Sequence, residues 1–250
     1  MHAHSTALVS TATAHIRSVT PLFEGSASRT RWSVHVAGNP MELEGLAGAA
    51  RDPHLTVRKE GGRFVLQSSA FANGATAEDV RARAAELLAW VAGAAGLCLD
   101  AHVPLAVTGI ERLRADGRQE LFACVDGPLA AKEADGPADV QQALAWVGLA
   151  CRDAEVARVL ALWGTPPHDW DRLYKVYEVI RHSVGSDWQI AKKGWTSRKT
   201  LDRFTAAAYS KAEAGNGVGQ RCSRARQMTL AEARGLIHGL AAAWLSAQSG

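Results

Sequence analysis

The stretch TAEDVRARAAELLAWVAGAAG, residues 76–96, decides the architecture of the first half of the chain. Thr76 followed by Asp79 three residues later is typical of a helix N-cap, and Gly96 is typical of a helix end. Apolar side chains recur at helical spacing between them, at Val80, Ala84, Leu87, Leu88, Val91 and Ala95. The pattern predicts a long amphipathic helix, which we expect to pack its apolar face against a sheet.

Strand patterns lie on both sides of this helix. Short runs rich in β-branched and aromatic residues, bounded by turn residues, predict strands at residues 15–23, 31–37, 54–59, 63–69, 103–113 and 118–125. Gly61-Gly62 and Asp116-Gly117 are typical of tight hairpin turns. Six or so strands with short connections and one long helix predict an α+β domain over residues 13–130, with a predominantly antiparallel sheet. The small, polar residues 1–12 predict a flexible N-terminus.

The strand pattern stops before residue 137, and helical patterns follow. Each of five predicted helices has a start signal such as a proline or a capping side chain, at Pro137, Asp153, Asp169, Ser197 and Thr229. Thr229 and Glu232 form a capping box. The sequence therefore predicts a second domain, an all-α helical bundle over residues 137–248. Its fourth helix is expected at 197–209 and a basic loop at 211–227.

Positive charge is concentrated between Arg181 and Arg226. This segment holds ten lysines and arginines against three acidic residues, so it carries +7 of a chain whose formal net charge is +3. A local excess of this kind is typical of a surface that binds phosphates, because each neutralised phosphate releases counterions. The residues that we expect to bind an anion are Lys192, Lys193, Arg198, Lys199, Arg203, Arg221, Arg224 and Arg226.

Aromatic residues are interleaved with these cations. Trp188 and Trp195 are our candidates for stacking on the bases of a single-stranded nucleic acid, and Phe204 and Tyr209 lie in the same segment. The alternative interpretation is that the cations cover the solvated sides of a helix and a loop while the aromatic rings fill the core.

Catalytic and metal-binding patterns are absent from the sequence. The four cysteines are far apart and form no pair at metal-ligand spacing, and the histidines have no carboxylate at such spacing. No serine-nucleophile or glycine-rich phosphate-loop motif occurs. We therefore expect no catalytic residue, no metal and no cofactor. Since we find neither a signal-peptide pattern nor an apolar run long enough for a membrane span, we expect a cytoplasmic protein that does not contact a membrane.

The helical part also resembles a known family. The features are residues 171–180 (DRLYKVYEVI), Arg203-Phe204-Thr205, the helix entry at residues 228–233 (MTLAEA) and Trp244-Leu245. Residues 170–246 with these features resemble the HEPN-type helical bundles of bacterial conflict systems. Ribonucleases of that family carry an arginine followed at a short interval by a histidine, and this chain departs from that motif.

Two arginines come close to the arginine–histidine motif of these ribonucleases, but neither fits it. Arg234 precedes His238 with only three residues between them, and Arg221 has no histidine close behind it. The resemblance therefore implies a bundle without the catalytic pair, acting as a binding or scaffolding module in a defence or regulatory assembly. The residues before position 170 carry no such resemblance.

The sequence thus favours a non-enzymatic protein that engages an anionic partner, either nucleic acid or an acidic protein surface. Two alternatives stay open at this point. One is a ribonuclease or other hydrolase with a site between the two domains, and the other is a structural subunit of a larger complex. The hydrolase predicts a cleft with a histidine or acid pair, whereas the structural subunit predicts an exposed apolar patch.

Overall fold

The computed structural model describes residues 30–49, 55–99, 105–123, 138–214 and 228–249 of the chain. Its strands are β1 (Arg31–Ala37), β2 (Thr56–Glu60), β3 (Arg63–Gln67), β4 (Ala106–Leu113) and β5 (Gln119–Ala123). Its α-helices are α1 (Pro40–Ala49), α2 (Ala77–Leu99), α3 (Ala138–Ala150), α4 (Ala154–Gly164), α5 (Trp170–Val184), α6 (Asp187–Lys192), α7 (Arg198–Ala214) and α8 (Leu230–Gln248). The predicted α+β class is confirmed, with most helices in the C-terminal part.

The strands form one antiparallel sheet in the order β2-β3-β1-β4-β5. Val34 at its centre lies opposite Leu66 on one side and Ile110 on the other, and all three side chains are buried. Gly61-Gly62 joins β2 to β3 with positive φ angles, and Gly117 has a positive φ in the β4–β5 turn. Both hairpins predicted from the sequence are therefore confirmed.

Helix α2 lies between the sheet and the helical part. The predicted cap at its start is present: the Asp79 amide donates to Thr76 Oγ1 at 3.1 Å, and the Thr76 amide donates to Asp79 Oδ2 at 2.9 Å. The second half of α2 is buried on several faces, because β4 packs on one side and α3, α4 and α8 pack elsewhere. The prediction of a single apolar face was therefore too narrow, and the helix also continues past Gly96 to Leu99.

Two glycines allow α2 and α4 to touch along their backbones. A Cβ on Gly93 would lie 2.0 Å from the carbonyl oxygen of Leu160, and one on Gly164 would lie 2.0 Å from the carbonyl oxygen of Ala89. No other residue type fits at such a distance. This crossing holds α4, and through it α5, at a fixed place against α2.

The start signals of α4, α5 and α8 act as predicted, whereas Pro137 lies outside the described residues. Asp153 accepts hydrogen bonds from the first amides of α4, and Asp169 does the same for α5. Thr229 and Glu232 form the full capping box of α8. On α7, Leu201 and Phe204 are completely buried, so this helix packs with these two side chains inward. Local side-chain chemistry therefore determines where these helices begin.

Two helices were not predicted from the sequence, and a third is longer than predicted. Helix α1 begins at Pro40, whose preceding Gly38-Asn39 indicated only a turn, and it is retained by buried Leu43 and Leu46. Helix α6 has six residues, too few to show a period. Helix α7 continues to Ala214 rather than Tyr209, because Lys211 to Ala214 are all good helix formers. The first four residues of the predicted basic loop are therefore helical.

Several predictions fall outside the described residues. These are the flexible N-terminus, the strand at 15–23, the domain boundary between 130 and 137, and the rest of the basic loop from residue 215. The division into two domains stays a prediction. Within the described residues, the hydrophobic core runs continuously from the sheet through α2 into the C-terminal helices. None of the helices described is long and apolar enough to cross a membrane.

Candidate nucleic-acid interface

Five of the predicted anion-binding residues lie close together in the chain on α6 and α7. Lys192 ends α6 and Lys193 follows it, whereas Arg198 and Lys199 begin α7 and Arg203 lies one turn further on. All five side chains are exposed. We refer to these five residues as the basic surface. Arg221, Arg224 and Arg226, the other predicted members, lie outside the described residues.

The connection between α6 and α7 brings the cations together. Gly194 has a φ of +75°, a conformation that other residues adopt only with strain. The Gly194 amide donates to the carbonyl of Ala191, and α6 ends there. Helix α7 then begins just four residues after Gly194, at Arg198. The last residue of α6 and the first two of α7 are thereby held within one short segment.

Helix α7 separates its charged and apolar residues onto opposite faces. The buried face consists of Leu201, Phe204, Ala207 and Ala208. The exposed face consists of Arg198, Lys199, Asp202, Arg203, Ala206 and Tyr209. Among these six residues Asp202 is the one acid, against the three cations Arg198, Lys199 and Arg203.

Cations of the basic surface differ from many others in their pairing. Elsewhere in the protein, Lys59 pairs with Glu44, Arg81 with Glu78 and Lys175 with Asp171. By contrast, no carboxylate among the described residues forms an ion pair with Lys192, Lys193, Arg198 or Lys199. Four exposed positive charges within eight residues therefore face solvent without a described counter-charge.

The start of α7 adds to this positive potential. Ser197 caps the helix, accepting a hydrogen bond of 3.1 Å from the Thr200 amide. The first turn contains no acidic residue and instead carries Arg198 and Lys199. Cations at a helix N-terminus are unfavourable, since the free amides already give that end a partial positive charge. An anion bound there would offset both the charge of the two side chains and the partial positive charge of the free amides.

A partly buried contact with α5 holds α6 in place. The Tyr177 hydroxyl donates to Asp187 Oδ1 at 2.6 Å, and Arg181 Nε lies 3.3 Å from the same oxygen. Ile190 on the same short helix is completely buried. Asp187 precedes Trp188 directly, so this contact also anchors the backbone next to Trp188. Because Arg181 neutralises Asp187, that acid subtracts little from the charge of the basic surface.

The structure separates the two stacking candidates. The Trp188 side chain is 54% exposed, and Lys192 Nζ lies 5.0 Å from the centre of its ring. Trp195 is half-buried and packs against the hydrophobic core, with Lys193 Nζ 5.3 Å from its ring centre. The ring of Phe204, in the same segment, is completely buried among Trp170, Tyr174 and Tyr177 and is closed to a base. Trp188 is thus the more accessible candidate.

Tyr209 is a second exposed ring, and it lies on the face of α7 that carries Arg198 and Lys199. It is 57% exposed, and its hydroxyl lies 2.7 Å from that of Tyr174 on α5. That hydrogen bond, helped by partial burial, raises the pKa of Tyr174 to about 12. Burial, followed by the hydrogen bond to Asp187, raises the pKa of Tyr177 well above its usual value. Both phenols therefore stay neutral to a higher pH than an ordinary tyrosine does.

A histidine–acid pair and a groove, which a hydrolase would need, are both present but include none of the five residues of the basic surface. His35 Nε2 lies 3.2 Å from Glu111 Oε2, but this pair is on β1 and β4 of the sheet. Its residues are far apart in sequence, so no local spacing could have indicated it. A groove of about 640 Å³ that includes Glu155, Glu178 and His182 lies between α4 and α5, within the helical part. The described residues hold no group of three histidine, cysteine or acidic side chains that could bind a metal.

Exposed apolar side chains on the sheet bear on the structural-subunit alternative. Leu113 on β4 and Leu121 and Phe122 on the edge strand β5 are all well exposed. Such an edge can pair with another chain. Nothing in the described residues indicates which chain would do so.

Comparison of the chain with family models, curated proteins and solved structures gives no match. The resemblance of residues 170–246 to HEPN-type bundles therefore stays a prediction from the sequence. Any functional conclusion has to rest on the chemistry of the surface itself.

Proposed function

We propose that this protein binds nucleic acid through its basic surface and acts as a binding module rather than an enzyme. The observation that carries the proposal is the group Lys192, Lys193, Arg198 and Lys199, exposed and without an ion pair among the described residues. Phosphates are the ligands that such a group attracts most strongly, because neighbouring contacts each release counterions.

The unfavourable placement of two cations at the N-terminus of α7 supports a binding role. Arg198 and Lys199 oppose the dipole of α7, whereas acidic residues at the same positions would favour the helix. A surface with only a solvation role gains nothing from placing cations there. A phosphate bound at the first turn of α7 could accept hydrogen bonds from the free backbone amides of that turn. It would also contact the side chains of Arg198 and Lys199.

Other features fit a binding module. Helix α6 is anchored by Tyr177 and Arg181, so its cation and its tryptophan are positioned before a ligand arrives. A binding role also agrees with what the HEPN resemblance implies, a bundle without the catalytic arginine and histidine. The place of this module in a defence or regulatory assembly is part of the proposal.

Fluorescence anisotropy with labelled RNA and DNA oligonucleotides tests the proposal. The variant Lys192→Glu/Lys193→Glu/Arg198→Glu/Lys199→Glu is expected to lose roughly a hundredfold in affinity at low salt, as phosphate contacts are lost. Its matched control is Arg31→Glu/Arg58→Glu/Arg63→Glu/Arg234→Glu, which makes the same change in net charge at four exposed arginines on the sheet and α8.

The control should lose far less affinity than the variant. Equal losses in both would mean that only net charge matters, and the proposed site would be wrong. Absence of any binding by the unaltered protein at low salt would contradict nucleic-acid binding altogether. An acidic protein surface would then be the remaining anionic partner.

A further inference from the structure

We infer that the basic surface takes single-stranded rather than double-stranded nucleic acid, with Trp188 and Tyr209 as the residues that stack on bases. This inference rests on the proposed function. It goes beyond it by naming the form of the ligand and the two aromatic side chains that would stack on its bases.

The first argument is the exposure of the two rings. Apolar area of this size is normally removed from water, yet Trp188 and Tyr209 are each more than half exposed. They are the aromatic residues among the exposed large hydrophobic side chains of the described C-terminal helices. Both lie on the elements that carry the cations. Their exposure has no packing reason but is what base stacking needs.

The second argument is the position of the rings relative to the cations. Lys192 Nζ lies over the Trp188 ring at 5.0 Å, so a base on that tryptophan would bring its phosphate close to a lysine. Tyr209 shares the exposed face of α7 with Arg198, Lys199 and Arg203. From Arg198 to Tyr209 the helix extends about 16 Å, long enough for a few nucleotides of one strand.

The third argument concerns what a duplex could use. In a duplex the bases stack on one another and present no free face, so exposed aromatic rings add little to its binding. A single strand presents each base to an aromatic ring, and every base has a π-face to offer. The combination of cations with exposed rings therefore favours single strands with little sequence preference.

The Tyr174 contact makes Tyr209 suitable for this role. The hydroxyl–hydroxyl bond of 2.7 Å and the ring-centre distance of 5.4 Å hold the Tyr209 ring against Tyr174, while 57% of the Tyr209 side chain stays exposed. A ring that is already held loses little conformational entropy when a base stacks on it.

Binding of a single-stranded oligonucleotide of about a dozen bases and of its duplex, each measured by anisotropy, tests the inference. Trp188→Leu and Tyr209→Leu should each lower the affinity for the single strand about tenfold, and the affinity for the duplex by less than about twofold. Trp188→Phe and Tyr209→Phe keep a ring and should retain most of the affinity. Far-ultraviolet circular dichroism checks that each variant is folded.

Photo-cross-linking to a bromouridine-substituted strand gives a readout that a change in folding would not imitate. Adducts on Trp188 or Tyr209 are expected, and adducts only elsewhere would overturn the inference. It would also fail if the leucine variants bound the single strand as well as the unaltered protein did, while the fourfold glutamate variant lost binding. If the glutamate variant bound normally, the proposed function itself would be wrong.

Discussion

The three tyrosines of the protein show how side-chain contacts connect α5, α6 and α7. All of them, Tyr174, Tyr177 and Tyr209, belong to one cluster around the buried ring of Phe204. The sequence predicted the helix that carries Tyr174 and Tyr177, with its start at Asp169. It did not predict their hydroxyl partners Tyr209 and Asp187, because burial of individual atoms depends on which helices pack together.

Because every tyrosine lies in this cluster, alkaline titration followed by tyrosinate absorbance reports on it alone. Tyr174 is expected to titrate near pH 12 rather than at its usual value of 10.0, chiefly because its hydroxyl is hydrogen-bonded to that of Tyr209. Tyr209→Phe removes that partner and should move the titration of Tyr174 down toward its usual value. An unchanged titration curve for Tyr174 in this variant would contradict the assigned hydrogen bond.

The raised pKa values also predict how stability depends on pH. The folded protein binds the phenol protons of Tyr174 and Tyr177 more tightly than the unfolded chain does. The stability that they contribute is therefore fully present below about pH 10 and is lost as the pH rises toward and beyond 12. Urea unfolding across this range should show a falling midpoint, with a smaller fall in Tyr177→Phe. The same midpoint at both ends of the range would contradict the prediction.

At the scale of elements, much of the fold could be predicted and some of it could not. Helix starts such as Asp153, Asp169 and Thr229 were predictable because capping is decided by a few adjacent residues. Helix α6 was not, because its stability comes from the burial of Ile190 and from α5 contacts to Asp187. The same limit applied to the candidate site: charge could be counted from the sequence, but the burial of Trp195 and the exposure of Trp188 could not.

The close crossing of α2 and α4 gives a prediction about stability. Gly93→Ala and Gly164→Ala each place a methyl group 2.0 Å from a carbonyl oxygen of the other helix. Each should cost about 2 kcal/mol or more in the free energy of unfolding, since the backbones have to separate. Gly235→Ala and Gly239→Ala on α8 are matched controls, because a Cβ there meets nothing within 4 Å.

The controls should be neutral or stabilising by up to about 1 kcal/mol, as alanine favours a helix more than glycine does. Urea unfolding measures all four variants. If Gly93→Ala were as stable as Gly235→Ala, the two helices would not be in backbone contact.

The two ends of α7 allow the proposed role of its cations to be separated from their effect on folding. Arg198→Glu/Lys199→Glu should raise the free energy of unfolding by about 0.5 to 1 kcal/mol, because acids favour a helix N-terminus, while nucleic-acid binding falls. Lys211→Glu in the last turn should instead lower stability by a few tenths of a kcal/mol. Urea unfolding and anisotropy together measure both effects. A first-turn variant that was less stable and still bound nucleic acid would contradict the account of this surface.

At the scale of the whole molecule, the continuous core explains how a small basic surface can be rigid. The sheet holds α2, α2 holds α4 through the two glycines, and α5 and α7 follow by packing. The cations therefore lie on or next to helices that are packed against the core, rather than on a loop without such packing. This arrangement fits a site that is formed before the ligand binds. The ligand would then interact mainly through its phosphate charges and the faces of its bases.

The salt dependence of binding to a single-stranded oligonucleotide tests the central claim most directly. If the four cations Lys192, Lys193, Arg198 and Lys199 each contact a phosphate, their reversal to glutamate should reduce the slope of log Kd against log salt by about 3. The matched sheet and α8 variant should keep the slope of the unaltered protein. An equal slope in the unaltered protein and the fourfold variant of α6 and α7 would contradict the claim that this surface binds nucleic acid.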